Sequence, residues 1–183
     1  MGRDKALLRL SPSGDPLWRR QLDLLAALNP EELLWSGPPR EGLPDHIRIV
    51  PDQIADTGPL GGIAACLEAT RSDLLLVLAV DLPAMSEPFL RRLLAQSTPG
   101  RGVVPQLGDH FEPLAALYPR RLAPLAAKRL AQGEYALQGF IREGVALHAL
   151  EVLSLPPAEN ALFQNLNTPA DLASYRSLPD PLP

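Results

Sequence analysis

Asp73-Leu74-Leu75-Leu76-Val77-Leu78-Ala79-Val80-Asp81-Leu82-Pro83 is the stretch whose reading decides the fold. Its seven consecutive apolar residues, 74–80, are too few to cross a bilayer and suit a strand buried on both faces. Such a strand belongs in a parallel sheet with helices on each side. Asp81 then stands where the strand ends, and Pro83 stops the ladder because it has no N–H to donate. Ligands of open parallel sheets collect at the carboxyl ends of the strands, so a carboxylate there is a candidate for metal or substrate work. The plainer reading is that Asp81 caps the turn that follows.

Before this run, residues 47–50 read as a short strand that delivers Pro51-Asp52, and residues 32–35 as another, ended by Gly37-Pro38-Pro39. Residues 17–28 place Trp18, Leu22, Leu25 and Leu28 near helical spacing. Gly58-Pro59-Leu60-Gly61-Gly62 reads as a turn that opens a helix over 63–70. After the run, Ser86 is a natural N-cap, with Glu87 and Pro88 in the first turn of its helix. Residues 103–104 and 113–118 read as strands, and 119–132 as a long helix stopped by Gly133. Thr168-Pro169-Ala170-Asp171 starts another helix. Strands alternating with helices predict a three-layer, Rossmann-like α/β domain with a mainly parallel sheet and some mixed strand directions in the second half.

A chain of 183 residues fits one domain with a substantial core. The net charge of −4 argues against a nucleic-acid-binding surface. Cys66 is the single cysteine, which excludes an intrachain disulfide and a cysteine-based zinc site and fits a reducing cytoplasm. His46, His110 and His148 are scattered and give no metal-ligand spacing. There is no transmembrane segment, and Met1-Gly2-Arg3-Asp4-Lys5 lacks the apolar stretch of a signal peptide. The expectation is a cytoplasmic monomer that binds neither nucleic acid nor membrane. Proline, at 21 residues, is about twice its ordinary share, which predicts short elements joined by stiff turns. The domain is expected over residues 1–177, followed by a frayed proline-rich tail at 178–183.

Three features could carry chemistry. Asp52 and Asp81 each end a strand, which in a parallel sheet puts both carboxylates on one rim. Between them lies the glycine-rich segment 58–62, where free N–H groups and the helix dipole can hold an anion. Lys5 adds a mobile positive charge suited to phosphate. Two carboxylates, a hard-cation site and phosphate donors are what a nucleotidyl transferase needs, since Mg²⁺ binds one or two carboxylates plus substrate phosphates. Each piece also has a plainer reading: a solvated lysine, a helix-start turn without Walker spacing, and a Pro-Asp turn.

Taken in order, the motifs resemble a known family. Met1-Gly2-Arg3-Asp4-Lys5-Ala6-Leu7-Leu8, Pro51-Asp52, Gly58-Pro59-Leu60-Gly61-Gly62-Ile63, Asp81-Leu82-Pro83 and Phe163-Gln164-Asn165-Leu166-Asn167-Thr168-Pro169-Ala170-Asp171-Leu172 look like molybdenum cofactor guanylyltransferases. That family has a nucleotidyltransferase fold and joins GMP from GTP to the phosphate of molybdopterin. The resemblance implies Lys5 as a catalytic residue and GTP phosphate contact, and Asp81 as the catalytic Mg²⁺ ligand. It implies nucleotide contacts from Ser36, Asp52, Gly58, Pro59, Leu60, Gly61, Gly62 and Asp81. Asn165 and Asn167 fall on the pterin side of the cleft, although an Asn before a helix can simply organise the turn. GTP and molybdopterin are the implied substrates, with transient contact to molybdoenzymes or chaperones that receive the cofactor. A cytidylyl or sugar-1-phosphate nucleotidyltransferase stays open as an alternative, as does a truncated, non-catalytic nucleotide-binding relative.

The sequence departs from the family pattern in three places. The family has a strand and a Leu-Ala-Gly-Gly-x-Ser-x-Arg loop directly before Met-Gly-x-Asp-Lys, whereas this sequence starts at that Met, so an N-terminally incomplete domain is expected. Without that strand, its neighbours would lie roughly 10 Å apart, too far to pair, leaving a slot beside residues 74–80. Ser36 stands where the family commonly has an Asn near the base. Gly133-Glu134-Tyr135-Ala136 lacks the family's arginines, with Arg142 as the candidate substitute.

Overall fold

The computed structural model describes residues 5–11, 14–52, 54 and 56–166. Asn167, the helix start at Thr168 and the tail lie outside the described residues. A short 3-10 turn, Lys5–Leu7, precedes α1 (Leu17–Ala26), which buries Leu17, Trp18, Gln21 and Leu22. β1 (Leu34–Ser36) and β2 (Arg48–Val50) pair in parallel, with Ser36 opposite Val50. The next helix, α2, spans Gly58–Ala69. It starts five residues earlier than the glycines suggest. Pro59 pre-sets helical φ in the first turn, and Leu60, Ile63, Ala64 and Leu67 then form one continuous buried stripe.

β3 (Leu74–Leu78) and α3 (Glu87–Gln96) follow. Then come β4 (Gly102–Leu107), β5 (His110–Phe111) and β6 (Ala115–Pro119). The expected long helix over 119–132 divides into a 3-10 turn, Arg120–Leu122, and α4 (Ala123–Ala131). α5 (Leu137–Ala146) and β7 (Leu150–Leu155) complete the regular elements, with a 3-10 segment at Pro157–Phe163. Sequence reading missed β5, α5 and β7.

β6 lies between β3 and β4, β5 pairs with the end of β4, and β7 pairs with β4 along its whole length. β4–β7 is parallel, whereas β3–β6, β4–β6 and β4–β5 are antiparallel. The sheet is therefore mixed, and the apolar run pairs antiparallel with β6 instead of with a parallel neighbour. Chain connectivity explains this. A two-residue turn links β4 to β5, and such turns join antiparallel strands; β6 follows β5 in the same direction, so it too runs antiparallel to β4. β6 then inserts between β4 and β3.

Helices cover both faces of this sheet. On one face, α2, α4 and α5 pack over β6 and β7 through Leu60, Leu67, Ala126, Phe140, Ile141 and Leu150. Tyr118 of β6 is fully buried there, and its hydroxyl donates to the Pro113 carbonyl at 2.7 Å. On the other face, Phe89, Leu90 and Leu93 of α3 cover Val103, and Phe89 meets Phe163 edge to face at 5.3 Å. Burying each such side chain contributes about 1.5–3 kcal/mol. No helix among the described residues is long and apolar enough to cross a membrane.

β3 is not buried as its sequence predicts, because all five residues remain partly accessible. Only β6 pairs with it among the described residues. Beside its other edge lies a cavity of about 820 Å³, with residues 74–81 on one wall and Leu22, Leu25, Leu34 and Trp35 on the other. The slot expected beside residues 74–80 is thus present, and β1–β2 forms a separate two-stranded sheet.

Candidate active site

Asp81 stands three residues beyond the end of β3. The Ala79 N–H donates to the Leu114 carbonyl at 2.8 Å, which carries the β3 pairing one residue past the ladder and fixes how the chain leaves it. The Asp81 side chain is 20% exposed, and its Oδ2 lies 3.6 Å from the Lys5 ammonium. Lys5 owes its position to the turn it opens: Ala6 is buried, and the Leu8 N–H closes the turn on the Lys5 carbonyl at 3.0 Å. The two charges that the sequence suggested for metal and phosphate are therefore adjacent.

A second group forms where β1 and β2 end. Ser36 and Val50 are opposite in the parallel ladder, so Ser36 and Asp52 emerge on the same side. The Ser36 hydroxyl donates to Asp52 Oδ1 at 3.5 Å. Gly62 of α2 packs directly on this pair. A Cβ there would collide with Ser36 Oγ and come within 3.4 Å of Asp52 Oδ1. Cys66, one turn further along α2, faces the same serine. Burial pushes its thiol up to about 11, the Ser36 hydroxyl pulls it down slightly and Asp52 adds to the rise. A thiol held neutral in this way is a packing group and not a nucleophile.

Ser36, Asp52, Gly58, Pro59, Gly62 and Asp81 all line the one cavity. Gly58 has φ of +60°, a conformation that favours glycine, and with Pro59 it is exposed at the start of α2. The other two residues of the glycine motif turn away. Leu60 is 0% exposed within the main core, so its side chain is unavailable to a nucleotide. Gly61 is buried on the α4 side of α2, where a Cβ would strike the Thr57 hydroxyl, which donates to the Ile54 carbonyl at 2.9 Å. The five residues are the first turn of a helix with two faces and not a single ligand-facing loop.

Asn165 is exposed next to Leu166, whose N–H donates to the Asp81 carbonyl at 3.1 Å. Asn165 thus adjoins the Asp81 rim, with Asn167 outside the described residues. Arg142 is exposed on α5, and no α5 residue lines the cavity. Sequence reading missed Cys66 and Gln21 as cavity-lining residues. The signal for Gln21 was legible, since it is a polar residue on the buried stripe of α1.

No group of three or more His, Cys, Asp or Glu side chains among the described residues could cage a metal. A single accessible carboxylate on an open rim is instead the donor set of a hard cation that completes its shell with substrate phosphates and water. Asp81 fits that mode.

The model of the MobA-like NTP transferase domain matches residues 1–149. A protein of Opitutus terrae named "Probable molybdenum cofactor guanylyltransferase" is 35% identical over 93% of this chain and 86% of its own length. The "Molybdenum cofactor guanylyltransferase" of Syntrophotalea carbinolica is 30% identical over 96% of this chain and 84% of its own. Among solved structures, molybdopterin-guanine dinucleotide biosynthesis protein A of Archaeoglobus fulgidus superposes with a TM-score of 0.70 at 19% identity, covering 96% of this chain and 90% of that one. A 2-C-methyl-D-erythritol 4-phosphate cytidylyltransferase of Thermus thermophilus reaches 0.69 at 18% identity, covering 94% and 92%. These two share the fold, while the domain match and the two sequence relatives, each covered over most of its length, show the family: the chain belongs to the molybdenum cofactor guanylyltransferases, a family of nucleotidyltransferases.

Proposed function

We propose that this chain transfers GMP from GTP to the phosphate of molybdopterin and releases pyrophosphate, in the cytoplasm and as a monomer. The observation that carries the reading is the meeting of Asp81 and Lys5, 3.6 Å apart, on the rim of the cavity that Asp52, Ser36 and Gly62 also line. A pterin phosphate oxygen attacks the α-phosphorus of GTP in line. The new P–O bond forms as the bond to the bridging oxygen of the β-phosphate breaks, so pyrophosphate departs with that electron pair. No protein nucleophile is required, and positioning with charge neutralisation carries the catalysis.

Asp81 would hold Mg²⁺, which when bound supplies positive charge to the phosphates. Lys5 leaves its carboxylate partner for phosphate oxygens. The exchange costs little, because a half-exposed ion pair is worth at most about 1 kcal/mol. Ser36 and Asp52 offer hydrogen bonds to the nucleotide, and Gly62 leaves them room to sit against α2. Asn165 and Asn167 serve the pterin side, from which product passes to cofactor-receiving enzymes or chaperones.

Asp81→Asn keeps the shape of the side chain and removes its charge. With GTP, molybdopterin and Mg²⁺, the expected result is loss of about 100-fold or more in kcat. Wild-type turnover in that variant overturns the assignment of Asp81. Turnover of CTP in preference to GTP overturns the choice of nucleotide.

A further inference from the structure

Gln21 is 3% exposed on the inner face of α1, next to the buried Trp18 and Leu22. Its Nε2 donates to the Leu82 carbonyl at 2.6 Å. A carbonyl can only accept, so the amide orientation follows, and Oε1 is left buried without a partner among the described residues. The residue before it, Arg20, donates from Nε to the Pro83 carbonyl at 3.2 Å. The Leu166 N–H donates to the Asp81 carbonyl at 3.1 Å. Three consecutive carbonyls, those of Asp81, Leu82 and Pro83, are thus each held from outside their loop, two of them by α1. With the loop's main chain fixed in this way, only the side-chain torsions of Asp81 remain to place its carboxylate.

As a stabilising residue Gln21 is a poor choice. It makes one good hydrogen bond and buries one orphan acceptor, two effects of similar size and opposite sign. An apolar side chain of the same length would remove the orphan Oε1 but leave the Leu82 carbonyl without this donor, so stability alone gives no strong preference between the two. What such a side chain cannot do is fix the loop that carries Asp81.

We propose that Gln21, with Arg20 beside it, is a positioning residue that holds the Asp81 carboxylate for a divalent cation and the nucleotide phosphates. The inference rests on the reading of Asp81 given under the proposed function. Partners that orient a metal-binding side chain are worth about 10–100-fold in metal affinity when removed.

The experiment is Mn²⁺ binding followed by electron paramagnetic resonance, with GTP present and no acceptor, so that nothing turns over. Wild type, Asp81→Asn, Gln21→Met and Arg20→Met are compared, with a melting curve for each. Gln21→Met is expected to weaken Mn²⁺ binding about 10-fold, with no more than the modest fall in Tm that one lost buried hydrogen bond brings, and Arg20→Met to weaken it less. If Asp81→Asn loses Mn²⁺ while Gln21→Met binds like wild type, the positioning role is overturned and the Asp81 reading stands. If Asp81→Asn binds Mn²⁺ like wild type, both fall. A lower Tm with unchanged affinity makes Gln21 structural and also overturns the role. Should Gln21→Met fail to fold, the exposed Arg20 decides, and unchanged affinity in Arg20→Met overturns the proposal.

Discussion

β3 and β4 are both strands of one sheet, yet they are packed very differently. β3 is Leu-Leu-Leu-Val-Leu and has no buried residue, whereas β4 includes a glycine, a proline and a glutamine and buries its first four positions. The difference lies in their edges. β4 has β7 on one side and β6 and β5 on the other, while among the described residues β3 has β6 alone, with a cavity on its far side. Apolar composition measures how much a strand can gain from burial. Its neighbours decide how much it does gain. The same contrast separates the two ends of the molecule: the α4–α5–β7 end is tightly filled, and the α1–β1–β2 end borders the cavity.

The largest test of this contrast swaps the same residue type in both regions. Leu150 of β7 is 2% exposed and packed so closely that a Cβ on Gly144 would come within 2.9 Å of its Cδ1. Leu150→Ala should cost about 2–5 kcal/mol by urea unfolding, the range for fully buried leucine. Leu76→Ala, on the partly accessible β3, should cost only about 1 kcal/mol, because the cavity has already removed part of its packing. Equal costs would mean that the cavity is closed in solution and that the two regions are packed alike.

A smaller difference is expected between adjacent glycines. Gly61→Val forces Thr57 off its bond to the Ile54 carbonyl and should cost about 1–3 kcal/mol through overpacking. Gly62→Ala instead pushes into Ser36 and Asp52 at the cavity wall. It should weaken GTP binding in a titration while leaving the melting temperature nearly unchanged. A fall in affinity with Gly61→Val and none with Gly62→Ala would reverse the assignment of the two helix faces.

The smallest effect concerns a contact that ties the segment before β1 to β2 and to the end of α2. Glu32, ahead of β1, accepts from the Thr70 hydroxyl at 2.7 Å and the Arg71 N–H at 2.6 Å, with Arg48 at 3.5 Å. Burial disfavours the charged carboxylate, but these partners outweigh it and hold its pKa below the ordinary glutamate value. A lowered folded-state pKa contributes stability above the ordinary value of about 4.3 and loses it as pH falls through the lowered one. Glu32→Gln should therefore cost about 1 kcal/mol at neutral pH and flatten the acid limb of the stability profile. An unchanged acid limb would remove Glu32 as a link between β1–β2 and α2.

Much of the first half was legible from local patterns. The short strands near 34–36 and 48–50 are bounded by turn residues, and Asp52 and Asp81 were placed by where the runs 47–50 and 74–80 stop. The second half was harder because its elements are defined by distant partners. β7 is shaped by pairing with β4, nearly 50 residues earlier in the sequence, and α5 carries two glycines that weaken its helical signal. Residues 58–62 misled in a different way: three glycines and a proline look like a turn until Leu60 is seen to continue the buried stripe of α2. Gln21 was missed because a helical stripe is read by its apolar members, and the polar exception was passed over.

Tyr118 has one further consequence. Its phenol is fully buried, and desolvation drives its pKa far above the ordinary tyrosine value. The folded protein keeps that proton in mild alkali, whereas the unfolded chain releases it near pH 10. Folding free energy is therefore complete below that point and drains away as pH rises beyond it. The ring at the centre of the sheet sets an alkaline ceiling on the fold, and the ultraviolet absorption of its phenolate would appear only as the chain comes apart.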